Sequence, residues 1–118
     1  MSDRNTKLLI SDIILSIEKI NRYTSLLDFN SFCKNEMNVD AVIRNFEIIG
    51  EAASMLPKSF TAIHKNINWR SIKNFRNLLI HEYFGIDLKF VWNIIEDKLP
   101  DLEQELHQIY KSIPDPLF

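Results

Sequence analysis

One cysteine, two glycines and no long apolar run: these scarcities set the first limits on the 118-residue sequence. With Cys33 alone no internal disulfide can form, and no zinc site is expected. No apolar stretch approaches the roughly 18 to 20 residues that a membrane span requires, so a membrane protein is not expected. The opening Met1-Ser-Asp-Arg-Asn leads into an amphipathic pattern interrupted by Asp12, Glu18 and Lys19, so no signal peptide is expected. The expectation is a cytoplasmic protein of one domain over residues 1–112, followed by an extended tail over 113–118. No internal repeat or low-complexity segment is present. The chain is long enough to bury well over half of its unfolded surface without staples.

Acidic residues are missing where the sequence is most basic. The net charge of −2 divides into −2 over residues 1–51, +5 over residues 52–81 and −5 over residues 82–118. The middle segment has no carboxylate, and it holds Lys58, Lys65, Arg70, Lys73 and Arg76 together with His64 and His81. Such a composition suits phosphate. The plainer alternative is a set of solvated helix faces that pair with acids elsewhere.

No segment alternates with period two, and apolar residues recur three and four apart almost throughout. Leu9, Ile10, Ile13, Ile14, Ile17 and Ile20 predict a helix from about Asn5 to Tyr23. Turn chemistry follows, with a short helix over about 32–36. Asn38 is the predicted N-cap of a second long helix to about Leu56, with Val39, Val42, Ile43, Phe46, Ile49, Ala53 and Leu56 on its buried face. Gly50, in mid-helix, costs about 1 kcal/mol relative to Ala, which points to a close helix crossing. Pro57 opens a short helix through His64, and Asn68 caps the next one, with Gly85 just past its end. Asp87 caps a last helix carrying Leu88, Val91, Trp92, Ile95, Leu99, Leu102, Leu106 and Ile109, which Pro100 must kink or divide. The fold class is all-α, an antiparallel bundle of four to five helices.

Within this plan the stretch Asn68 to Gly85 breaks the pattern. As a helix it places Trp69, Ile72, Leu79 and Ile80 on one apolar stripe, yet Arg76 and Tyr83 fall on that stripe as well. A buried guanidinium costs several kcal/mol unless paired or wetted, so the stripe should line a polar cleft or an interface. The competing reading is a buried ion pair of Arg76 with Glu47 or Glu51.

Arg76-Asn77-x3-His81-x-Tyr83 resembles the R-x4-6-H motif of the HEPN superfamily, and more closely the R-x4-H-x-Y form of HepT-like toxins. Arg44-Asn-Phe-Glu-Ile-Ile-Gly-Glu-Ala-Ala, Asn68-Trp-Arg-Ser-Ile, His81-Glu-Tyr-Phe-Gly-Ile-Asp and Val91-Trp-Asn-Ile-Ile-Glu-Asp-Lys-Leu-Pro resemble that family in the same order, over about residues 5–110. The resemblance implies a HEPN-like bundle and the toxin of a type VII-like toxin–antitoxin pair. It implies a metal-independent endoribonuclease acting on tRNA or mRNA, a homodimer whose two motifs line one cleft. It also implies an MNT-type nucleotidyltransferase antitoxin that transfers AMP from ATP to Tyr83. No cofactor and no metal are expected.

The chemistry can be argued beside the resemblance. Metal-free RNA cleavage needs a group that moves protons near neutral pH and a cation that stabilises charge on phosphate oxygens, for which His81 and Arg76 are the right types. Five positions on an ideal helix separate Arg76 and His81 by about 140°, whereas Asn77 and His81, four apart, share a face. Either the helix loosens near His81, or one subunit supplies Arg76 and the other His81. Asn77 would support His81 or a ribose hydroxyl, and Arg70 and Lys73 are candidate phosphate contacts. Each residue also has a plainer reading: a dipole partner for His81, packing for Tyr83, solvation for Arg70 and Lys73. His64, His107 and Cys33 read as structural or surface residues. Two non-catalytic alternatives stay open: a dimeric helical partner or regulator of a minimal nucleotidyltransferase, and a generic helical adaptor.

Overall fold

The computed structural model describes residues 3–81 and 87–114, with side chains over 5–76 and 87–114. Seven helices follow one another, and no strand occurs among the described residues: α1 (Asp3–Thr24), α2 (Phe29–Lys34), α3 (Glu36–Ser54), α4 (Lys58–Ile63), α5 (Trp69–His81), α6 (Leu88–Asp97) and α7 (Leu99–Ser112). The all-α bundle agrees with the periodicity. The number of helices exceeds the expected four to five because α2 and α4 are short and the last helix is divided.

α3 lies between α1 and α5, α7 packs on α1, and α2 joins α3 to α6. The amphipathic positions explain this arrangement. Ile10, Ile13, Ile17 and Ile20 of α1 are fully buried, as are Val42 and Ile49 of α3 and Leu99 and Leu106 of α7. Fully burying one such side chain contributes about 1.5 to 3 kcal/mol. Phe32, on α2, stacks at 5.2 Å on Trp92 of α6, which also meets Phe29 at 6.1 Å. Asn45 is a buried polar residue in this interior. Its Nδ2 donates to the Ala41 carbonyl at 2.8 Å, while its Oδ1 has no partner.

The caps decide where helices begin. Asp28 accepts from the Ser31 amide at 2.8 Å, Asn68 from the Ser71 amide at 3.1 Å and Asp87 from the Phe90 amide at 3.1 Å. That amide bond holds the Asp28 carboxyl below its ordinary range. For α3 the expected cap is displaced: Asn35, not Asn38, is the N-cap and accepts from the Asn38 amide at 3.1 Å. Asn38 instead donates to the Tyr23 carbonyl at 3.1 Å, joining the start of α3 to the end of α1. Pro100 divides the last helix, because at the first turn of α7 its missing N–H costs nothing. Gly85 and residues 115–118 lie outside the described residues. Ile113 is buried, and its carbonyl accepts from Lys7 Nζ at 3.0 Å.

The expected close crossing at Gly50 is present. A Cβ placed there would lie 2.8 Å from the Arg76 amide nitrogen, 2.9 Å from the Arg76 Cβ and 3.2 Å from the Ile72 carbonyl oxygen. Two of these atoms are backbone, so α3 and α5 touch main chain to main chain. Gly50→Ala would gain about 1 kcal/mol of helix propensity but incur an overpacking cost of about 1 to 3 kcal/mol. The expected outcome is a net loss of about 1 kcal/mol in urea denaturation. Unchanged or raised stability would show that the crossing can relax.

Candidate functional site

The site is built on α5, and its cap, anchor and contact with α3 determine where its polar residues point. Trp69 is buried near its start and donates from Nε1 to the His64 carbonyl at 3.0 Å. Phe60 stacks on His64 at 4.6 Å, so His64 serves the turn between α4 and α5. Phe75 meets Phe46 edge to face at 5.3 Å. Ile72 is buried.

Arg76 is rooted at the Gly50 crossing, yet the residue is exposed. The stripe it shares with buried Trp69 and Ile72 is therefore open to solvent at this position. Its Cβ starts from the contact line between α3 and α5, while the residue as a whole is open to solvent. The proposed ion pair with Glu47 or Glu51 is absent as well: Glu47 is engaged by Arg44 at 3.4 Å. Among the described residues no carboxylate pairs with Arg76. Arg70 is exposed and Lys73 is half-buried. Positions 70, 73 and 76 follow one another at intervals of three, an oblique basic ridge along α5.

The backbone of α5 is α-helical through His81, so of the two alternatives, loosening of the helix or a site shared by two subunits, the first is not seen among the described residues. The Cα positions of Arg76 and His81 are therefore about 140° apart around one axis. The side chains of Asn77 and His81, and all of Tyr83, lie outside the described residues. The structure thus places the basic ridge of the proposed site, and leaves the acid–base and acceptor positions to sequence.

Beside the ridge, α5 borders a groove of about 460 Å³ against α6 and α7, walled by Ile72, Phe75, Phe90, Ile94 and Leu102. Asp101 and Glu105 stand along it, and Asn66 donates to Glu105 Oε2 at 3.2 Å. Carboxylates make this groove a poor extension of a phosphate-binding surface. One grouping was missed by the sequence reading: Glu18, Glu103 and His107 converge where α1 meets α7. The spacing of Glu103 and His107, one helical turn, was visible in sequence, but the arrival of Glu18 from a distant helix was not.

A family model described as Ribonuclease HepT-like matches residues 13–109. The chain belongs to the HepT-like ribonuclease family. A Methanocaldococcus jannaschii protein provisionally named as an RNase is 38% identical over 106 residues, covering 90% of this chain and 97% of the relative. A Thermococcus cleftensis protein named as a probable ribonuclease HepT is 35% identical over 108 residues, covering 92% of this chain and 98% of the relative. A Caldanaerobacter subterraneus protein, also provisionally named as an RNase, is 39% identical over 86 residues, covering 73% of this chain and 77% of the relative. No solved structure matches the chain significantly. The HepT-like match includes all of α5 and runs on through Tyr83.

An exposed arginine with no carboxylate partner among the described residues contributes little to folding. Arg76→Ala should therefore change stability by no more than about 0.5 kcal/mol, read as a melting-temperature shift of about 2 °C. A much larger fall would mean that the guanidinium holds the bundle together.

Proposed function

We propose that this chain is a metal-independent endoribonuclease, the toxin of a HEPN/MNT pair, and that it works as a homodimer on tRNA or mRNA. Membership of the HepT-like family and the RNase names of its relatives support an RNA substrate. The observation that carries the reading is Arg76, exposed, without a carboxylate partner among the described residues and held on the helix that continues to His81. A guanidinium kept charged and unpaired is available to phosphate oxygens.

In the proposed reaction His81 takes the proton of a ribose 2′-hydroxyl. The 2′-oxygen forms a bond to phosphorus, and the bond from phosphorus to the 5′-oxygen breaks. The 5′-oxygen leaves with a proton from an imidazolium or from water. Arg76 stabilises the charge that builds on the non-bridging oxygens. The unbroken α5 supports a composite arrangement, in which one subunit's Arg76 works with His81 of the partner subunit. Asn77 would orient His81 or a ribose hydroxyl, and Arg70 and Lys73 would meet flanking phosphates.

Silencing would act at Tyr83. The phenolic oxygen attacks the α-phosphorus of ATP, the bond to the β-phosphate breaks and pyrophosphate leaves, under catalysis by an MNT-type nucleotidyltransferase. The resulting phosphodiester adds negative charge and a purine two residues from His81, which repels and obstructs RNA.

Purified protein incubated with tRNA in EDTA should cleave it, and Arg76→Ala and His81→Ala should each lower the rate at least about 100-fold. No cleavage by the wild type on any RNA would leave the non-catalytic partner reading. Tyr83→Phe should cut RNA at the wild-type rate but incorporate no labelled AMP from ATP and the nucleotidyltransferase. Labelling that persists in this variant would place the acceptor elsewhere.

A further inference from the structure

A second set of side chains stands where α1 meets α7. Glu18 of α1 and Glu103 and His107 of α7 each bring one potential ligand atom to within 4.8 Å of the others. His107 Nε2 lies 3.9 Å from Glu103 Oε2, too far for a hydrogen bond. Asn21 Nδ2 donates to the other Glu103 oxygen at 3.1 Å, fixing that carboxylate from α1. Among the described residues no lysine or arginine pairs with Glu18 or Glu103. Two carboxylates and an imidazole, carried by two different helices, thus share one small volume at the edge of the α1–α7 contact.

We propose that Glu18, Glu103 and His107 bind a divalent transition-metal ion of the zinc class, which cross-links α1 to α7. Two carboxylate oxygens and one imidazole nitrogen are a donor set suited to zinc, with water in the fourth position. Zinc at about 2.1 Å from each donor would set tetrahedral ligands about 3.4 Å apart. The donors must therefore close by about an ångström, within reach of side-chain rotation by the exposed Glu18 and the partly exposed Glu103 and His107. The backbones beneath are already fixed, since Ile17 and Leu106 are fully buried.

The position defines the ion's role. At the other end of the α1–α7 contact, Lys7 binds the Ile113 carbonyl at 3.0 Å and lies over the Tyr110 ring at 4.6 Å. The ion would fasten the end where, among the described residues, Asn21 spans the two helices by its hydrogen bond to Glu103. Glu105, two residues from Glu103 and about 200° around α7, faces Asn66 before α5. The metal site therefore points away from the Arg76 helix, and its role is structural.

Full-length protein freed of metal by a chelator and desalted should bind one Zn²⁺ per chain in calorimetry. Zinc about tenfold above the Kd should raise the melting temperature by about 5 °C. Glu18→Gln and His107→Gln should each weaken binding at least about tenfold and remove that rise. Both residues are at least partly exposed, so the variants should fold. Undetectable zinc binding would overturn the proposal. So would wild-type affinity in Glu18→Gln, because an ion held by other histidines does not need α1. An equal rise with Mg²⁺ would reduce the site to a carboxylate cluster and would also overturn it.

Discussion

The main-chain contact between α3 and α5 at Gly50 sets the position of α5, the helix that carries the proposed site. At 2.8 Å from a would-be Cβ to the Arg76 nitrogen, no side chain larger than hydrogen fits without moving a helix. The two axes are drawn together, and α5 is fixed along α3 by Phe46 against Phe75 and by buried Ile72. Core packing tolerates little slack, so the direction of α5 is inherited from this contact. A helix positioned by backbone contact is a more precise support for polar groups than one resting on long side chains.

The same contact resolves the conflict raised by Arg76. A guanidinium on a buried stripe would require a partner, and Glu47 and Glu51 were at hand in sequence. The fold instead starts the side chain at the crossing and releases it to solvent, while Arg44 occupies Glu47. Burial of charge is avoided without neutralising it. Charge separation along the chain has the same effect, since no acidic residue between 52 and 81 competes for the basic ridge. The nearest acids along the groove, Asp101 and Glu105, belong to α7.

Local rules were legible in sequence, and long-range ones were not. Asn68 and Asp87 cap the helices assigned to them because an N-cap acts over three residues. Pro100 divides the last helix by removing a donor at a fixed place. Asn38 misled for an instructive reason: Asn35 has the same capping chemistry three residues earlier, and the contact between Asn38 and Tyr23 depends on how α1 meets α3. Asn45 could not be recognised as buried, since a polar residue on an amphipathic helix reads as exposed. The crossing at Gly50 was visible as an unfavourable residue in mid-helix, but which residue it would meet was not. Exposure of Arg76 and the approach of Glu18 to His107 both required the packed bundle.

An α5 that stays helical through His81 has a consequence for how an R-x4-H spacing can work at all. Were the helix to unwind before His81, one chain could turn both groups toward one phosphate, and dimerisation would be incidental to chemistry. With the helix intact through that position, the two groups leave the axis about 140° apart, so a single phosphate is hard for one chain to embrace. Two copies related by a two-fold axis remove the difficulty, because each helix then offers Arg76 to one half of a shared cleft and His81 to the other. On this proposed arrangement the spacing is itself the reason for the dimer.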